Sequence, residues 1–127
     1  MTRVFDSSAI LAAIFAEPGG EAVAALWAQG ENLVSSVNYA EVVGKLNERG
    51  MPNADILTVM EGVPLTVADF DQATAHASGL LRLATKNMGL SLGDRACIAL
   101  AQSLGATAVT ADQLWAKVQK LDVHLVR

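Results

Sequence analysis

Five short apolar stretches punctuate the chain: Arg3–Phe5, Leu33–Ser35, Leu65–Val67, Ala108–Thr110 and Val123–Val126. They are largely continuous rather than alternating, as strands buried on both faces of a parallel sheet are. Helical patterns lie between them. Ser8–Glu17 is rich in Ala, Ile and Leu and stops at Pro18-Gly19-Gly20; Glu21–Gln29 follows and stops at Gly30. Val37–Arg49 stops at Gly50, Pro52 keeps it from resuming, and Asn53–Met60 is a short helix. Ala68–Lys86 reads as a long helix with a break near Gly79. In Leu92–Leu104, the residues Ala96, Cys97, Leu100, Ala101 and Leu104 form one apolar stripe. Gln113–Lys120 reads as the last helix. Strands alternating with helices predict an α/β fold: a three-layer α/β/α sandwich on a mainly parallel five-stranded sheet.

A chain of 127 residues is enough for one domain with its own core, and residues 1–127 show no repeat, linker or low-complexity run. Hydrophobic residues make up 52% of it and the mean hydropathy is +0.35, which is high for so small a chain. The excess predicts a partner over part of the surface, a homodimer being the expectation. No apolar run approaches the roughly 20 residues that span a bilayer, and the start Met-Thr-Arg-Val-Phe-Asp has no apolar signal core. The single cysteine, Cys97, excludes an internal disulfide and fits a reducing cytoplasm. A net charge of −4 excludes generic, charge-driven nucleic-acid binding. Any nucleic-acid contact has to be local and metal-assisted.

Candidate chemistry concentrates in four acids: Asp6 in V-F-D-S-S-A-I, Glu41 in N-Y-A-E-V-V, Asp94 in S-L-G-D-R-A-C, and Asp112 in T-A-D-Q-L-W. Singly, each has a plainer explanation. Asp6 and Asp112 suit helix N-caps, Ser91-Leu92-Gly93-Asp94 suits a capping box, and Glu41 precedes Lys45 at salt-bridge spacing. Jointly they form a pattern. Two follow strands directly, where open α/β sheets place their sites, and two open helices flanking the same edge. Carboxylates about 5 Å apart repel by roughly 3 kcal/mol per pair at an effective dielectric of 20. Gathering them calls for a divalent cation or raised pKa values. An oxygen-only set without Cys or His suits Mg²⁺ or Mn²⁺.

The segments V-F-D-S-S-A, N-Y-A-E-V, L-S-L-G-D-R-A-C-I-A-L-A and V-T-A-D-Q-L-W, in this order, resemble PIN-domain nucleases. Within that family the chain is most similar to the VapC-type toxins of prokaryotic toxin–antitoxin pairs, over essentially its whole length. The resemblance implies a metal-dependent endoribonuclease built on a five-stranded parallel sheet. It maps the catalytic, metal-binding acids onto Asp6, Glu41, Asp94 and Asp112. It also matches Thr110 to a small polar residue that steadies a carboxylate or water beside the last acid. Some members carry a further acid just afterwards; here Gln113, Leu114 and Trp115 follow. Implied partners are RNA and a cognate antitoxin protein.

Other polar residues divide between site and scaffold. Asn38 can reach the site from the turn before Glu41 or cap the helix. Ser7 and Ser8 can donate to Asp6 or to metal-bound water, or serve as caps. Arg95, Lys45 and Arg49 are candidate RNA contacts, with surface pairing the alternative; Arg82 and Lys86 form another basic pair at i,i+4 spacing. Trp27 and Trp115 can stack on bases or pack inside. His76 and His124 sit outside every motif and are structural. Two competing functions remain: a catalytically silent PIN-like binding module, which predicts gaps in the quartet where there are none, and a free-standing nuclease without an antitoxin. A haloacid-dehalogenase-like phosphatase wants Asp where Ser8 stands. A receiver domain wants paired N-terminal acids and a late lysine. Phosphate-binding glycine loops are absent.

Overall fold

The computed structural model describes residues 1–127. The elements in chain order are β1 (Thr2–Phe5), α1 (Ser7–Ile14), α2 (Gly20–Trp27), β2 (Glu31–Ser35), α3 (Ser36–Glu48), α4 (Asn53–Gly62), β3 (Thr66–Ala68), α5 (Gln72–Ala84), α6 (Leu92–Leu104), β4 (Thr107–Thr110) and β5 (Asp122–Leu125). The five strands form one sheet in the order β3-β2-β1-β4-β5, and every pairing is parallel. The expected mainly parallel sheet is therefore wholly parallel.

Alternation along the strands sorts side chains into two cores. Phe5, Val34 and Val109 join Ile10 of α1, Val23 of α2, Leu46 of α3 and Met60 of α4 in one core. Val4 and Ala108 face the other way and join Cys97, Ile98 and Ala101 of α6, with Trp115 and Val118. Helices thus cover both faces, which is why the strands are continuously apolar. No helix is long and apolar enough to cross a membrane.

The strand order fixes where a site can lie. The chain leaves β1 for β2 and β3 on one side, then returns to place β4 on the other side of β1. Loops leaving β1 and β4 diverge there and open a crevice at the strands' carboxyl ends. The β1–β4 ladder continues one residue beyond β1, since the Asp6 amide donates to Val109 O at 3.0 Å. Asp6 is locked at the mouth of that crevice.

Three expected helices differ. The segment beginning at Ala68 starts as the end of β3; α5 itself begins at Gln72, where Asp71 accepts from the Thr74 amide at 2.8 Å as N-cap. It runs through Gly79 without a break and ends at Thr85, whose hydroxyl donates back to Leu81 O. Gln113–Lys120 is only a 3₁₀ turn over Gln113–Lys117. The first helix stops at Ile14, before the positive φ of 53° at Ala16.

Candidate active site

Asp6 is the most enclosed of the four acids, with 2% of its surface exposed. Its Oδ1 accepts from the Ala9 amide at 2.8 Å, which makes it the N-cap of α1. The Ser8 hydroxyl donates to the carboxylate at 2.8 and 2.9 Å, and the Thr110 hydroxyl donates to Oδ2 at 2.6 Å. Both hydroxyls are themselves oriented. Ser8 Oγ accepts from the Ala111 amide at 3.1 Å, and Thr110 Oγ1 accepts from the Asp112 amide at 3.0 Å. Two hydrogen-bond relays thus run from the β4 exit loop into one carboxylate. Burial nevertheless dominates: it pushes the Asp6 pKa up to about 6, against the three hydrogen bonds that lower it and with a smaller upward push from the charge of Asp94.

Glu41 projects from α3 beside the same crevice. Its Oε1 accepts from the Ser7 hydroxyl at 2.6 Å and from the Asn38 side-chain amide at 3.2 Å. Asn38 is fully buried, and its amide nitrogen also lies 3.2 Å from Gly93 O, tying α3 to α6. Its Oδ1 is buried without a partner. Gly93 has no room for a side chain: a Cβ there would overlap the Glu41 carboxylate. Ser7 and Asn38 are not the helix caps, which are Asp6 for α1 and Ser35 for α3; they bond to Glu41 instead.

Asp94 and Asp112 are half-buried, and both are engaged as caps. Asp94 Oδ2 accepts from the Ser91 amide at 2.9 Å, while Ser91 Oγ accepts from the Asp94 amide, a complete capping box. Asp112 Oδ1 accepts from the Leu114 amide at 3.0 Å. Each carboxylate keeps one oxygen outside these bonds. Cys97, one turn beyond Asp94, is buried; burial, then the charges of Asp6, Asp94 and Glu41, push its thiol pKa well up. It stays a core thiol and a poor metal ligand.

None of the four acids has a basic partner; the ion pairs are Lys45–Glu48 and Arg127–Glu17. The oxygen-only donors and the uncompensated negative charge fit a hard divalent cation. As placed, no three acids lie at ion-holding distance of one another.

The remaining candidates make their contacts with groups other than the four acids. Lys45 pairs with Glu48 at 3.5 Å rather than with Glu41, and the Arg49 guanidinium stacks 4.0 Å from the Phe15 ring centre. Arg95 donates to Ser78 O at 3.4 Å. Trp115 is fully buried, and Trp27 packs edge-on against Phe5 at 6.1 Å, so both indoles serve the core. His76 and His124 are exposed. The requirement for glycine at position 93 was overlooked in the sequence. Its one trace was a poor helix former inside the first turn of an otherwise strong helix.

Residues 3–121 match the PIN domain family, and the chain belongs to it. No curated protein matches the sequence. Among solved structures, a chain of VapBC2 from Rickettsia felis, bound to a DNA fragment from its promoter, superposes with a TM-score of 0.79 at 17% identity, covering 98% of each chain. DNA-bound VapBC from Salmonella typhimurium gives 0.77 at 16% identity, covering 100% of this chain and 99% of that one. VapC20 from Mycobacterium tuberculosis, described as a sarcin–ricin loop cleaving toxin, gives 0.72 at 16% identity over 91% and 93%. The fold is shared with these toxin–antitoxin proteins from end to end.

Proposed function

We propose that this chain is a divalent-metal-dependent endoribonuclease, the toxin of a toxin–antitoxin pair, acting in the cytoplasm and held silent by its antitoxin. The observation that carries the reading is Asp6: a buried carboxylate at the switch point of a PIN fold, steadied by two oriented hydroxyls and paired with no basic side chain. Supporting it, the solved neighbours are toxin–antitoxin proteins, one of them described as a sarcin–ricin loop cleaving toxin. Exposed Leu57, Leu80 and Leu83 support a homodimer or a bound antitoxin.

In this reading Ser8 and Thr110 hold Asp6 in one orientation, and Ser7 and Asn38 hold Glu41. Asp94 and Asp112 contribute the oxygens that their caps leave free. Mg²⁺ or Mn²⁺, when bound, would offset negative charge on the phosphate and acidify an attacking water. No histidine sits in any of the four motifs, so one of the four acids orients the water or takes its proton. The test is direct. Purified protein should cut structured RNA with Mg²⁺ or Mn²⁺ and stop in EDTA; undiminished cutting in EDTA removes the mechanism.

A second reading, a catalytically silent PIN-like binding module, is favoured by one observation: Asp94 and Asp112 are occupied as caps and no three acids converge. It predicts no metal-dependent change in melting temperature.

A further inference from the structure

Nine basic residues serve this chain, and four of them are committed elsewhere. Arg3 donates to Gln29 O, Lys45 pairs with Glu48, Arg49 lies over Phe15, and Arg127 meets Glu17 and Pro18 O. Arg82 and Lys86 make no such contact, and Arg95 has only a 3.4 Å bond to Ser78 O. All three converge on one pocket of about 240 Å³, floored by the turn from Gly89 to Leu92. No acid lines it, and none of the three bases is in a salt bridge. Lys117 and Lys120 line the next groove along, which meets this pocket at Thr85.

Its position gives it meaning. Ser91 lines the pocket and also forms the capping box with Asp94, and Arg95 follows Asp94 on the same turn of α6. The basic pocket and the acidic crevice therefore share the α6 N-terminus as a common wall. A chain whose acids repel polyanions needs a local cationic foothold to hold one against that crevice. Arginine suits the task, because its planar fork matches phosphate oxygens. The small volume admits a phosphate and its sugar rather than a folded partner.

We infer that the Arg82, Lys86 and Arg95 pocket is a phosphate subsite that seats a backbone phosphodiester of the RNA, neighbouring the one cut at the acids. The inference rests on the nuclease reading and adds where the strand lies: it leaves the acids over Ser91 toward the end of α5. Lys45 and Arg49, engaged with Glu48 and Phe15, line no part of that pocket.

The test uses a short single-stranded RNA. Its affinity is read by fluorescence anisotropy in EDTA at several salt concentrations, and its cleavage is measured separately with Mg²⁺. Arg82→Gln/Lys86→Gln should lower the salt slope by about 1.4, which is roughly 20-fold in affinity at 0.1 M salt. KM should rise with kcat little changed. Lys45→Gln/Arg49→Gln should leave the slope unaltered. Wild-type slope and KM in Arg82→Gln/Lys86→Gln, with cleavage intact, overturn the subsite and leave the nuclease reading standing. Binding of an acidic peptide that these variants abolish, with RNA affinity unmoved, overturns it in favour of a protein carboxylate. RNA neither bound nor cut by wild type overturns both readings together.

Discussion

The Glu41 carboxylate lies directly against the Cα of Gly93, in the space a side chain at position 93 would fill. This contact brings an acid of α3 to within one residue of Asp94 on α6. Asn38 reinforces the approach by bonding to both Glu41 and Gly93 O. Glycine is thus required for what it lacks, and the requirement comes from the site rather than from the helix.

Gly93→Ala separates those two demands. Alanine favours the helix by about 1 kcal/mol over glycine. The overlapping atoms belong to the end of a flexible glutamate, which can swing away cheaply. Folding stability is expected to stay within about 1 kcal/mol of wild type, while RNA cleavage falls steeply because Glu41 is displaced. Urea unfolding alongside a cleavage assay decides it; full activity would mean that Glu41 need not sit there.

Asp6 predicts a pH dependence. Its folded pKa is about 6 and its unfolded reference is 3.8, so between those values the folded protein binds more protons. Stability from this group is greatest below pH 3.8, is lost as pH rises toward 6, and stays lost above. The difference is about 3 kcal/mol, at 1.36 kcal/mol per unit. In EDTA, Asp6→Asn should therefore gain on wild type as pH rises from 4 to 7.5. A gap that is the same at both pH values would show that Asp6 ionises normally.

Thr110→Val tests the relay. It removes the 2.6 Å donor to Asp6 and the acceptor for the Asp112 amide. Losing a hydrogen bond that favours the ionised form moves the Asp6 pKa further up. Leaving the Asp112 amide short of a partner costs about 1–3 kcal/mol. The pH at which metal-supported cleavage reaches half its maximum should move upward. Thr110→Ser, which keeps the hydroxyl, should restore it; an unmoved profile in Thr110→Val would leave Thr110 as packing.

Much of this was legible in the sequence, for identifiable reasons. The strands were continuous apolar runs because helices cover both faces, and α6 was found at its exact span because Ser91, its stripe and Gly105 mark both ends. Asp71 and the 3₁₀ turn after Asp112 were not foreseen. Asp71 lay inside a helical-looking run whose first residues pair as β3, and the 113–117 segment carries helix formers in a stretch too short to propagate. The acids could be named from their places after strands and at helix starts. Their present engagement as caps could not, since one pattern encodes both roles. The basic pocket was missed because Arg82 and Arg95 lie on separate elements that meet only in three dimensions.

Asp94→Asn distinguishes cap from site. Asparagine keeps the shape and an oxygen for the Ser91 amide, so a residue that only caps predicts little change in stability or activity. The site reading predicts near-complete loss of cleavage. It also predicts a metal-free protein at least as stable as wild type, because Asp94 adds to the charge burden on Asp6. The relief is small, because that charge is the least of the causes acting on Asp6. Metal should then discriminate between them. A bound ion stabilises by RT ln(1 + [L]/Kd), so Mg²⁺ should raise the melting temperature of wild type more than that of Asp94→Asn. Equal melting shifts in both proteins, with cleavage retained in the variant, would reduce Asp94 to the cap of α6.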